Sequence, residues 1–143
     1  MVSLMSIENK IRLNAFNNDD LEIFSFLCQD AIISKEEIFY DKTKKIFVAT
    51  LTRYCWEQQK LYDKNINYRV ITGLQIRNVN NIEYINFRSK IPFYNLLAIT
   101  YEKENIILNL SMSSKIKLDC KKINAIIEDI DIPWPTKLKP LHK

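Results

Sequence analysis

From Ala31 to Asp119 the chain alternates apolar and polar residues in short runs, separated by clusters of Asn, Asp, Lys and Ser. A period of two places successive side chains on opposite faces of a pleated strand, so this stretch predicts a succession of strands rather than helices. Ala31–Ser34, Ile38–Tyr40, Ile46–Trp56, Tyr68–Arg77, Ile82–Phe87, Phe93–Glu102, Asn105–Ser111 and Lys115–Leu118 are the predicted runs. Asp41-Lys42-Thr43-Lys44, Asn78-Val79-Asn80-Asn81 and Lys103-Glu104 read as turns of three hairpins. Both faces of Ile46–Trp56 are substantially apolar, which predicts a central strand. In Tyr68–Arg77 the expected inward residues are Tyr68, Val70, Leu74 and Ile76.

Helical patterning flanks this region. Asn17-Asn18-Asp19-Asp20 offers N-cap chemistry to a helix over about 19–30, with Leu21, Phe24, Leu27 and Cys28 on one face. Ile123, Ile126, Ile127 and Ile130 fall at i, i+3, i+4 and i+7, which predicts an amphipathic C-terminal helix over about 120–130, capped by Asp119. The fold class expected is α+β: an N-terminal helix, seven or eight mostly antiparallel strands as a bent sheet or partly open barrel, and the C-terminal helix as its closure, similar to a pleckstrin-homology-like fold. An open antiparallel sheet with both helices on one face is the alternative. With 143 residues the chain makes a single domain, its core at about 12–132 and a Pro-rich tail at 133–143 anchored by Trp134.

The chain has one glycine, Gly73, and one histidine, His142. A phosphate-cradling loop or dinucleotide fingerprint needs several glycines and is excluded as a motif. A lone glycine inside a strand predicts a bulge or bend there. A histidine next to the chain's end argues against histidine-centred catalysis. Cys28, Cys55 and Cys120 are widely spaced, as expected for reduced thiols in a cytoplasmic protein, and they lack the close pairs of a structural zinc site. No cofactor and no metal is expected. No run reaches the about 20 apolar residues of a membrane span, and Glu8, Lys10 and Arg12 stand where a signal peptide needs an apolar run.

The formal charge is +4, with 16 Lys against 5 Arg, and Ile, Lys and Asn together supply 52 residues. All three have AT-rich codons, so the positive balance reads first as composition. The basic excess lies in the second half, at Lys115, Lys117, Lys121, Lys122 and the tail, and a nucleic-acid-binding surface there is the alternative function.

The polar cluster of most interest is Arg53-Tyr54-Cys55-Trp56-Glu57 at a strand end. An Arg–Glu pair flanking Trp suits a planar or anionic ligand, and equally a structural ion pair over a packed indole. Gln29, Asp30, Arg69 and Trp134 complete the candidate binding set, and no catalytic set emerges. Glu36-Glu37 and Asp129-Asp131 are the nearest carboxylate pairs, without a basic partner at motif spacing. The expected function is a small non-enzymatic binding or protein-interaction domain for an unknown protein or small ligand. An enzyme of unrecognised type is a further alternative.

Cys28-Gln29-Asp30-Ala31, Arg53-Tyr54-Cys55-Trp56-Glu57, Leu96-Leu97-Ala98-Ile99, Ile116-Lys117-Leu118-Asp119-Cys120 and Lys139-Pro140-Leu141-His142 occur in that order. The pattern resembles an uncharacterised family of small alphaproteobacterial proteins, a domain of unknown function, over about residues 12–142. The resemblance implies a bacterial cytosolic protein and assigns no chemistry.

Overall fold

A computed structural model describes residues 10–56 and 67–130, together with the backbone of residues 134–136. The strands are β1 (Arg12–Ala15), β2 (Ala31–Asp41), β3 (Ile46–Tyr54), β4 (Asn67–Ile76), β5 (Asn81–Ile85), β6 (Phe93–Glu102), β7 (Asn105–Leu110), β8 (Lys115–Asp119), β9 (Ala125–Asp129) and β10 (Trp134–Thr136). One helix, α1 (Asn18–Leu27), lies between β1 and β2. All the pairings are antiparallel, in the order β1-β9-β4-β3-β2-β6-β7-β8-β5, and β10 adds to the free end of β4.

Each long strand buries one face. Phe47, Ala49 and Leu51 of β3, Leu74 and Ile76 of β4, Leu96 and Ile99 of β6, and Ile106 and Leu108 of β7 belong to one core with Ile127 of β9 and Ile116 of β8. A nine-strand path whose inner faces share one core must curl. β2 supplies the bend on one side: its register on β3 slips between Ile33 and Ile38, leaving four residues opposite Thr50. Before the slip β2 also pairs with β6, through Ala31–Ser34. On the other side, the β4–β5 and β8–β9 connections run side by side. Arg77 N–H donates to Asn124 O (2.8 Å), Asn80 N–H to Asp119 O (2.8 Å) and the Cys120 thiol to Arg77 O (3.4 Å). The antiparallel sheet of the sequence reading is present, as an open nine-strand path.

Helix α1 forms where its caps and stripe predict. The Asn17 side chain accepts from Asp20 N–H at 2.9 Å, and Asp20 returns a bond to Phe16 N–H. Leu21, Phe24 and Leu27 enter the core. The helix ends at Leu27 with Cys28 as its C-cap, and Asp30, with a φ of 64°, turns the chain into β2.

Three expectations are corrected. The C-terminal helix over 120–130 is instead β9, paired with both β1 and β4, so the pleckstrin-homology-like closure it would have supplied is replaced by a strand. Helical spacing of isoleucines coincided with a second pattern of period two. Ile123, Ala125, Ile127 and Asp129 are buried, while Ile126 is half-buried and Ile130 is 57 % exposed. β-Branched residues favour that extended backbone. The Asn78–Asn81 segment does not close a hairpin, because β5 pairs with β8 rather than β4. Asn78 does adopt a left-handed φ of 61°, but Val79 is buried, its N–H bonded to Lys45 O and its carbonyl to the Tyr40 hydroxyl, so the chain turns a corner instead. Two predicted runs, Ala31–Ser34 and Ile38–Tyr40, form the single bulged strand β2, and β1, β9 and β10 are added to the predicted strands, making ten among the described residues.

Gly73 is neither bulge nor bend. It pairs in register with Thr50 and Glu128, and its φ is not positive. Left-handed backbone falls instead to Asp30, Lys45, Asn78, Asn86, Lys103, Glu104, Met112 and Ser113. A Cβ at Gly73 would meet Ile130 Cδ1 at 3.6 Å, an ordinary contact. Gly73→Ala is therefore expected to leave stability unchanged or raise it by about 0.4–1 kcal/mol, through the unfolded chain's lost freedom. A urea midpoint lowered by that variant would show that the strand needs a bare backbone there.

The three cysteines are buried and form no disulfide. Burial pushes the Cys120 thiol above its ordinary value, the Lys122 backbone opposing the rise and Asp119 adding to it. Burial likewise raises the phenols of Tyr40, Tyr54 and Tyr101. A group whose folded pKa is raised contributes stability that is full below its unfolded pKa and lost as pH rises through the folded value. Urea midpoints should hold steady to about pH 8 and fall between about pH 9 and 11; a flat alkaline profile would contradict these burials.

Candidate functional site

The expected cluster separates into two neighbouring groups at the end of β3. Arg53 points inward and is 0 % exposed. Its Nε and Nη2 fork onto Asp129 Oδ1 and Oδ2 at 3.1 and 2.8 Å. The same carboxylate accepts from Thr72 Oγ1 (2.7 Å) and Ile11 N–H (2.9 Å), and Asp129 N–H donates to Ile11 O (2.8 Å). This carboxylate therefore accepts four hydrogen bonds inside the core. A bidentate pair so satisfied is a structural cross-brace between β3, β4, β9 and the chain entering β1. Glu57, the partner considered from sequence, lies outside the described residues.

The second group faces the other side of β3 and β4. Tyr54 is buried, with the Trp56 ring 4.3 Å from its own between centroids. Arg69, its cross-strand partner, sits with Cζ 5.9 Å from the Tyr54 ring centre and donates from Nη1 to Thr52 O at 3.3 Å. Burial presses the Arg69 guanidinium's pKa down, and Asp30 chiefly opposes it. Trp56 Nε1 donates to Gln29 O at 3.1 Å, tying the end of α1 to the end of β3. Gln29, Asp30, Trp56 and Arg69 are thus brought together. Arg53 lies behind them, on the inner face. Trp134 enters by register alone, opposite Arg69 on β10.

Gln29 also lines a groove of about 360 Å³ between α1 and β6. Glu22, Ser25 and Phe26 form its helical wall, and Leu97, Ala98, Ile99 and Thr100 its strand wall. The floor is fixed locally. β6 is irregular between Leu96 and Ala98 against β7, and Ile99 N–H donates to Ser25 Oγ at 2.9 Å. Leu97 alternates outward from buried Tyr94 and Leu96 and is 46 % exposed; the slip leaves Ala98 beside it and turns Ile99 inward. Beside it Ile23 and Phe26 are 53 % and 57 % exposed. Sequence reasoning missed this groove, although a signal existed. Leu21, Phe24, Leu27 and Cys28 complete the helix's core stripe, so Ile23 and Phe26 are apolar residues on its solvent side.

Neither carboxylate pair considered from sequence makes a catalytic dyad among the described residues. Glu36 and Glu37 are exposed on the β2 bulge, and Asp129 is held by Arg53. Among the described residues no group of three or more His, Cys, Asp or Glu is placed to hold a metal ion, and no helix is long and apolar enough to cross a membrane.

Removing Asp129's carboxylate strands a buried guanidinium. Asp129→Ala and Arg53→Ala are each expected to cost about 3–5 kcal/mol of folding stability, and Thr72→Val about 1–2 kcal/mol. Chemical denaturation of the three variants checks the ranking; Arg53→Ala within about 1 kcal/mol of the parent would remove the brace from its central place.

No curated protein and no solved structure matches the chain. A family model described as "Protein of unknown function (DUF2948)" matches residues 11–142, spanning β1 through β10, and the chain belongs to that family.

Proposed function

We propose that this chain is a non-enzymatic protein-interaction domain that seats a partner's side chains in the groove between α1 and β6. The observation that carries the reading is the exposed apolar pair Phe26 and Leu97 on opposite walls of that groove, with Ile23 exposed on the same helix. Apolar rings on a helix's solvent face add nothing to the core, and a partner that covers them recovers about 25 cal/mol per Å². The groove's walls are braced: Trp56 holds the helix end through Gln29, and Ser25 holds β6 through Ile99. A preformed groove spares the partner's binding the cost of ordering it.

The nucleic-acid alternative has less support. Tyr68 is buried, and Phe87 packs between Tyr84 and Tyr94 at 4.9 Å from each, so neither aromatic offers a stacking platform next to its basic neighbour. Lys117 stands opposite Glu83 across β8 and β5, which offsets its charge. Three buried, unbridged thiols favour a reducing bacterial cytoplasm as the setting.

A photo-crosslinking residue at position 26 or 97 is expected to trap a discrete protein adduct in cells that make the chain. The same residue at Tyr84, exposed on β5, should not. Equal trapping at all three positions, or trapping at Tyr84 alone, would overturn the assignment of the groove.

A further inference from the structure

The chemistry of the groove's occupant follows from the charges around it. From Leu13 to Ser34 the chain carries Asp19, Asp20, Glu22 and Asp30 and not one Lys or Arg. β6 carries Glu102 and no base. The helical wall is therefore acidic on a chain whose formal charge is +4, while the strand wall, Leu97 to Thr100, is uncharged and Glu102 stands beyond it at the end of β6. Two of these acids are used locally, Asp20 in the helix cap and Asp30 beside Arg69. Asp19, Glu22 and Glu102 are exposed, and Lys103, at the tip of the β6–β7 hairpin, lies beyond the groove's lining.

On α1, positions 19, 22, 23 and 26 are spaced three and four apart, so Asp19, Glu22, Ile23 and Phe26 share one exposed face. Gln29 continues that face into the groove. Carboxylates thus lie along the same strip as the apolar anchors, within reach of a single bound segment.

We infer that the occupant is a protein segment with one or two apolar side chains flanked by Lys or Arg. The apolar residues fill the space between Phe26 and Leu97, and the flanking cations meet Glu22, Asp19 and Glu102. An acidic segment is repelled by the helical wall, and nucleic acid is repelled for the same reason. The neutral donor and acceptor of Gln29 and the Thr100 hydroxyl suit the backbone of the segment between its anchors. This inference rests on the groove being the interaction site, and adds what it selects.

A random dodecapeptide library displayed on phage, selected in parallel on the parent chain and on Phe26→Ser, tests both statements separately. Sequences recovered by the parent and lost on Phe26→Ser are expected to combine an apolar residue with Lys or Arg within a few positions. A synthetic peptide of that class should weaken at least about ten-fold on Phe26→Ser. On the double variant Asp19→Asn/Glu22→Gln it should weaken about three- to ten-fold at low salt, and much of that difference should vanish at high salt. Thermal unfolding of each variant guards against loss of fold. Phe26-dependent sequences that are neutral or acidic, or unaffected by the double variant, overturn the basic partner while leaving the groove as the site. Recovery of no Phe26-dependent sequence overturns both.

Discussion

The fold depends on one buried ion pair. Arg53 and Asp129 sit inside the sheet with no exposed surface on the guanidinium, and every strand that meets there is held through them. Replacing such a pair with matched apolar side chains is often neutral or stabilising, so its value lies less in energy than in register. β9 adjoins β4 on one edge and β1 on the other. Slipping it by one residue would point Asp129 outward and bring Ile130 inward. A charge that must find its single partner forbids that slip, where a strip of isoleucines alone would tolerate it.

With β9 fixed, the remaining geometry follows from surface that has to be buried. Nine strands each present one apolar face and, among the described residues, one α-helix covers them, so the sheet curls on itself. The bend in β2 and the crossed β4–β5 and β8–β9 connections are its two corners. Helix α1 docks between β1 and β6 with Leu21, Phe24 and Leu27 inward. Its opposite side is left facing solvent with Ile23 and Phe26 on it. The interaction groove is thus a by-product of how the core is closed, refined by the Leu97 slip in β6.

What was legible in the sequence was local. The Asn17 cap, the Asp41 and Lys103-Glu104 turns, the β6–β7 hairpin and the inward side of β4 all follow from neighbours a few residues apart. Asp41 indeed accepts from Thr43 and Lys44 N–H, closing the first of these turns. The misreadings were non-local. Asp129 broke the alternation of β9 because its partner lies 76 residues earlier, so the isoleucines around it looked helical. β5 was assigned to the strand before it because nothing near Asn81 announces β8. Gln29, Asp30, Trp56 and Arg69, grouped from sequence, do lie near one another, since strand ends gather loops. Arg53 was paired with nearby Glu57 because its counter-ion Asp129, 76 residues on, is invisible to local spacing. Phe26 and Leu97 were passed over because apolar residues are assumed to be core.

The brace also dictates when the chain can finish folding. Ile11 and Asp129, bonded to each other, are 118 residues apart, and Arg53 precedes its counter-ion by 76. At about 5–20 residues per second, a ribosome takes about 4–15 s to deliver Asp129 after Arg53. Through that interval β3 carries a guanidinium that cannot enter the core and an apolar face that cannot close over it. β1 must wait equally long for the strand that will pair with it. Closure of the brace and pairing of β1 are therefore late events that local hairpins such as β2–β3 and β6–β7 can precede, with the first-made strands waiting longest for their final partners.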